Sequence, residues 1–308
     1  MNPALAPASS AIRQAFLALL VGGACIALSP ILVRLSEVGP TVTAFWRAGL
    51  AVPVLALLAL SGRRPPAPRP ADRWRLALAG VCFAGDLAFW HWSIRFTSVA
   101  NATLFANFNP IFVAVGAWAL FGERVTARFL AGMAIAFAGA VCLLGDSLSI
   151  GGDHALGDGL GIATAMCWAG YFLFVRSLRA RLGTTAIMLW TSAATALVLL
   201  PVAIASGEGF WPATIGGWAV LAALAVLSHA IGQGLIAFAL AHLPAGFSAL
   251  ALLIEPVLAA LFAWVLLDER LGALQWVGGA VVLAGIATAA GARRRLPRRG
   301  AGPSVAAE

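Results

Sequence analysis

Apolar runs about as long as a lipid bilayer is thick recur along this chain, and no other feature restricts its folding as severely. A helix needs roughly 20 apolar residues to cross the hydrocarbon layer. Ten such runs are present, near residues 15–35, 41–60, 74–94, 98–121, 127–145, 157–177, 185–205, 215–239, 245–267 and 273–291. Only 10% of the 308 residues are charged and 61% are hydrophobic, whereas a soluble domain carries about 25% charge. Such a chain cannot cover itself with a water-facing surface, so its outside must face lipid. The expected fold is an all-α integral membrane protein of ten transmembrane helices, with the lipid bilayer as its surroundings.

The net charge of +8 does not mark a nucleic-acid binder. The chain has no lysine, and its arginines sit in short clusters between the apolar runs, as cytoplasmic flanks of membrane spans do. With the N-terminus in the cytoplasm, the inner side holds Arg13, Arg63, Arg64, Arg69, Arg73, Arg75, Arg124, Arg128, Arg176, Arg179, Arg181 and the Arg293–Arg299 cluster. The outer side holds only Arg34, Arg95 and Arg270, together with Asp146, Asp153 and Asp158. The positive-inside bias therefore puts both termini in the cytoplasm. The first run exceeds the about 7–15 residues of a signal-peptide core and reads as a span. Cys25, Cys82, Cys142 and Cys167 each lie inside an apolar run, with no CxxC or Cys/His cluster. They are expected to pack, not to hold a metal or a disulfide. No cofactor and no nucleotide are expected, since no nucleotide-binding loop is present. The oligomeric state is left open.

The chain also repeats itself. "NPIFVAVGAWALFGERV" (109–125) and "EPVLAALFAWVLLDERL" (255–271) align at an offset of 146, sharing Pro110/Pro256, Ala114/Ala260, Trp118/Trp264, Glu123/Glu269 and Arg124/Arg270. "VGPTVTAFW" (38–46) likewise resembles "LGTTAIMLW" (182–190). Residues 15–146 and 157–291 thus read as two halves of five spans, preceded by an N-terminal segment 1–14. An extracytoplasmic linker 147–156 joins them, and a basic tail 292–308 follows. Five is odd, so the second half enters the membrane upside down. Such an inverted-topology repeat gives two end states of similar energy around a site between the halves.

The run "FWHWSIRFTSVANATLFANFNPIFVAVGAWALFGERVT", the "VTAFWRAGLA" of the second span and "LIEPVLAALFAWVLLDERL" resemble the two EamA repeats of the drug/metabolite transporter (DMT) superfamily. The resemblance spans about residues 15–291. It implies ten helices around a central cavity, with the last helix of each half peripheral. It also implies a bacterial inner-membrane protein that moves small organic solutes. Export of amino acids or related metabolites, aromatic ones among them, is the leading expectation; import or facilitated passage of other metabolites or drugs is the alternative. Asn109 stands where the second copy has Glu255, and Gly122 where it has Asp268, so the halves differ chemically. An intramembrane enzyme or a membrane scaffold is a more distant reading. No HExxH or GxSxG is present, and "AGD" at 84–86 is not a GxGD context.

Charges inside apolar runs are costly in hydrocarbon and are expected to face the bundle interior. Arg47, Asp86, His229 and Glu255 are the candidates. Arg47 and Glu255 are read together, either as a gate and solute anchor or as a fixed ion pair. Glu255 precedes Pro256, which lacks an N–H and bends its helix; Pro110 should bend the fourth span equivalently. Asp86, Trp90 and Ser93 share one helical face, and His229 and Gln233 another. Trp46, Trp90, Trp168 and Tyr171 are expected to line an aromatic cavity, with packing as the alternative. Asn101 is counted with the solute-binding set. Glu123-Arg124 and Glu269-Arg270 are expected to begin the fifth and tenth helices, where negative charge is favourable.

Overall fold

A computed structural model describes residues 6–61, 68–97, 99–144, 154–268 and 271–293. The expectations for Asp146, Asp153, Glu269, Arg270 and nearly all of the tail lie outside the described residues. Among the described residues the chain is helical throughout, without strands. Its helices are α1 (Ala6–Ala27), α2 (Ser29–Arg34), α3 (Pro40–Ser61), α4 (Pro70–Phe96), α5 (Val99–Ala106), α6 (Asn109–Phe121), α7 (Ala127–Leu144), α8 (Ala155–Leu178), α9 (Thr184–Ala205) and α10 (Ile215–Ala223). A π-helical segment, Leu224–Gln233, leads into α11 (Gly234–Ala239), followed by α12 (Ala245–Ala251), α13 (Ile254–Leu267) and α14 (Ala273–Arg293).

Nine described stretches are long and apolar enough to cross a membrane. The 27-residue α4 is not among them, because Asp86, His91 and Arg95 interrupt its apolar second half. Three of the nine stretches are broken helices. Pro30 sits in the first turn of α2, Pro110 in the first turn of α6, and Pro256 is the third residue of α13. A proline has no N–H to give the carbonyl four residues earlier, so each break frees a carbonyl at mid-bundle. The Asn109 amide Nδ2 donates to one of these, Ala106 O, at 3.1 Å. The π-helical segment adds a further irregularity at the same depth, a form found mostly at functional sites.

Small residues bring the helices together. A Cβ on Gly132 would lie 2.7 Å from Gly285 O and Ala289 N of α14, and one on Gly139 would meet Gly278 O at 2.7 Å. The contacts run in opposite chain directions, so α7 and α14 pack antiparallel at backbone distance. Gly85 of α4 faces the Cys167 thiol of α8, and Gly232 of the π-helical segment faces Cys25 of α1.

Polar clasps tie helix ends together at both ends of the bundle. At one end Glu208 accepts from Thr41 Oγ1 and Val42 N at 3.0 Å each, capping α3. Glu37 accepts from Ala213 N (2.8 Å), Thr214 N (3.0 Å) and the Thr214 hydroxyl, capping α10. These bonds hold the Glu37 carboxyl below its ordinary range, with the Thr214 hydroxyl the largest cause. At the other end Arg181 pairs with Asp72 of the α4 first turn. There Glu123 accepts from Ala245 N (2.9 Å) and Gly246 N (3.2 Å), while Arg176 Nη1 donates to Leu240 O (2.8 Å) and its Nε lies 3.8 Å from Glu123. Glu123 therefore does not serve the helix it was expected to begin; it caps α12, 122 residues further along the chain. The α6 helix ends at Gly122 with φ 63°, and α13 ends in the same left-handed turn at Asp268 with φ 60°. A short polar side chain is among the few besides glycine that adopt this turn readily.

Candidate functional site

The helix breaks converge on a cavity of about 240 Å3. It extends from mid-bundle toward the end where α2 finishes and α3 begins. Its polar wall comes from Arg47 of α3, Asp86 and His91 of α4, Asn107 and Asn109 at the α5–α6 break, and Gln233 and Glu255. Its aromatic wall is Phe83, Trp90 and Trp168. The Trp168 ring stacks on Phe172 with centroids 4.6 Å apart, and Trp90 meets His91 edge-on at 5.2 Å. Arg47 is 7% exposed. Asp86 of α4 and Glu255 of α13 share the cavity wall with it. No ion pair within 4.0 Å joins Arg47 to either carboxylate, so the fixed Arg47–Glu255 ion pair, one of the two readings of the sequence, is not formed in this structure. Several buried polar atoms around the cavity have no partner among the described residues: Ser29 Oγ, Arg47 Nε, His91 Nδ1, Asn109 Oδ1 and Gln233 Oε1.

Of the residues expected at the site, Arg47, Asp86, Trp90, Trp168, Gln233, Glu255 and Pro256 line this cavity. Four do not. Trp46 is one step around the helix from Arg47. Its Nε1 donates to Phe210 O at 2.8 Å, and its ring packs among Phe45, Phe210, Trp211 and Trp218 at the bundle end. Tyr171 lies behind the wall, stacked on Phe83 at 4.7 Å with its hydroxyl toward Met188 Sδ at 3.7 Å. His229 is buried in the same layer, its Nε2 2.7 Å from Ser192 Oγ. Pro110 is buried and off the lining, whereas its neighbour Asn109 is on it. Asn101 falls within α5, but its side chain lies outside the described residues. Ser93, expected on the Asp86 face, donates instead to Gly157 O at 2.7 Å and ties α4 to α8.

Sequence reasoning did not single out Ser29, Thr43, His91, Asn107 or Thr164, which also line the cavity. The available signal was a hydroxyl or amide beside a mid-run break, as in Ser29-Pro30 and Asn107–Asn109.

A bundle of apolar helices enclosing a charged, aromatic cavity at its broken helices defines a multi-pass membrane protein that handles a small molecule. The comparisons carry this further. The EamA-like transporter family pattern matches residues 13–145 and again 155–290, so the chain belongs to that family and is a transporter. An "Uncharacterized transporter" of Archaeoglobus fulgidus is 27% identical over 266 residues, covering 83% of this chain and 89% of its own. A "Probable terminal-alkyne amino-acid exporter" of Streptantibioticus cattleyicolor is 29% identical, covering 75% and 77%. A "Probable amino-acid metabolite efflux pump" of Escherichia coli K12 is 30% identical, covering 67% and 72%. One solved structure shares the fold at a TM-score of 0.79 and 22% identity, covering 91% of this chain and 98% of that one.

Proposed function

We propose that this protein exports small amino acids or related metabolites across the bacterial inner membrane by exposing one cavity alternately to the two sides. The observation that carries the reading is the cavity itself. It holds opposite charges and aromatic faces at the depth where Pro30, Pro110 and Pro256 break three helices, and transporters bind their solutes at such breaks. Its volume lies below the roughly 300 Å3 at which drug-sized pockets begin, which favours a solute the size of an amino acid. Relatives named as amino-acid or metabolite exporters support the same class.

In this reading ten helices form two inverted halves, 15–146 and 157–291, with both termini in the cytoplasm. Glycine packing supports the inversion. Gly132 and Gly139 recur at the offset of 146 as Gly278 and Gly285, and each glycine of one pair packs on a member of the other. Two equivalent helices that pack antiparallel are related by an axis perpendicular to them, here in the membrane plane. The Gly85–Cys167 and Gly232–Cys25 contacts are a second pair of equivalents at nearly that offset. With cytoplasmic termini, the cavity faces outward, and the Glu123–Arg176 clasp closes the cytoplasmic end.

Counterflow in proteoliposomes tests the function: vesicles preloaded with an unlabelled amino acid are diluted into its labelled form. Saturable, protein-dependent accumulation of label is expected for at least one member of a panel of neutral, aromatic and basic amino acids. Absence of counterflow for the whole panel would refute the reading.

A further inference from the structure

The cavity wall is unbalanced in two ways that point to the same kind of solute. Among the described lining residues its charges are one guanidinium, Arg47, against two carboxylates, Asp86 and Glu255, with His91 as the remaining titratable group. When both carboxylates are ionised and His91 is neutral, one negative charge has no matching cation among the described residues of the wall. The neutral groups lean in the same direction. Asn109 Oδ1 and Gln233 Oε1 are buried acceptors without a donor, Arg47 Nε is a donor without an acceptor, and Ser29 Oγ and His91 Nδ1 can act either way. Buried acceptors and charges left unmatched are costly. A ligand ammonium brings one positive charge and three N–H donors, which is what this wall lacks.

We propose that the cavity selects a solute with a surplus positive group, such as a short dibasic amino acid. The carboxylate of the solute lies toward Arg47, and its ammonium groups lie on the Asp86, Glu255, Asn109 and Gln233 side. The faces of Trp90 and Trp168 cover the alkyl stem and add a cation–π attraction. This rests on the exporter reading of the same cavity and adds the charge of the solute to it.

The test is equilibrium binding to the purified full-length protein, by titration calorimetry at pH 7 and fixed salt. The ligands are L-lysine, L-norleucine, Nε-acetyl-L-lysine and L-glutamate. Lysine and norleucine have similar chains and differ in the terminal ammonium; the acetylated form keeps the length without the charge. Lysine is expected to bind at least about tenfold tighter than either neutral ligand, the scale of one charge-assisted hydrogen bond, with glutamate weakest. In Asp86→Asn and Glu255→Gln, each checked for a monodisperse folded state, the lysine-to-norleucine ratio should fall toward one. Equal binding of lysine and norleucine to the wild type would overturn the charge preference while leaving the exporter reading intact, and it needs no variant. A lysine preference that survives both substitutions would also overturn the assignment. Failure of all four ligands to bind would count against the charge preference and the amino-acid reading together.

Discussion

Removing the Glu123 carboxylate should unlock the closed end of the bundle. Glu123 accepts two backbone N–H bonds, from Ala245 at 2.9 Å and Gly246 at 3.2 Å, and Arg176 sits 3.8 Å away. A hydrogen bond to a charged group contributes about 1.5–3 kcal/mol when sheltered. The Glu123 side chain is 18% exposed and Arg176 29%, so the lower end of that range applies and the ion pair adds little. Glu123→Ala should then weaken closure by about 2–3 kcal/mol, a shift of roughly 30- to 140-fold in the closed-to-open ratio at 1.4 kcal/mol per factor of ten. Glu123→Gln, which keeps one acceptor and loses the charge, should fall between. Arg124 and His242 are both exposed and flank the clasp. Spin labels there, in a cysteine-free background, report the opening by pulsed electron resonance. A longer-distance population that grows from wild type through Glu123→Gln to Glu123→Ala is expected. An unchanged distance distribution in Glu123→Ala would refute the role of this clasp in holding the end shut.

Four further outcomes follow from the same structure. Gly139→Leu forces a side chain into Val282 N and Gly278 O of α14; overpacking costs about 1–3 kcal/mol or more, so thermal unfolding in detergent should occur at a visibly lower temperature, and an unchanged midpoint would contradict the backbone contact. Arg47→Met removes the one described cation beside Asp86 and Glu255 and should lower the unfolding midpoint, with Arg47→Met/Asp86→Asn recovering part of that loss in the same unfolding assay. Trp168→Ala should raise the half-saturating solute concentration in counterflow while membrane yield stays at the wild-type level; unchanged transport would return Trp168 to a packing role. Glu37 has a lowered pKa in the fold, so its clasp on α10 is fully present above the ordinary glutamate value of about 4.3 and is lost as pH falls from there through the lowered value; the unfolding midpoint of Glu37→Gln should lack that part of the acid-side decline.

Burial logic made much of the site legible before any coordinates. Asp86 and Glu255 are charges inside apolar runs, and hydrocarbon leaves them no option but the interior. The same logic could not separate neighbours on one helix. Trp46 and Arg47 are adjacent, and which one faces the cavity depends on a helix rotation that no local pattern sets. His229 obeyed the rule in being interior, yet its Nε2 is taken by Ser192 of α9, and a partner 37 residues away leaves no local trace. Glu123 was recognisable as the end of an apolar run. Its bonds to α12 were not, because they depend on how two distant helix ends meet in space. The breaks at Pro110 and Pro256 were readable from the missing N–H, whereas the π-helical segment 224–233 carries no proline to announce it.

Alternating access requires that one cavity be reached from both sides of the membrane. With Cys25, Cys82, Cys142 and Cys167 replaced by alanine, Trp168→Cys places a single thiol on the cavity wall. Its labelling by a membrane-impermeant maleimide is then measured in right-side-out and inside-out vesicles, with and without saturating solute. Labelling from both sides, slowed by solute in each case, is the predicted result; labelling from one side alone under every condition would contradict alternating access.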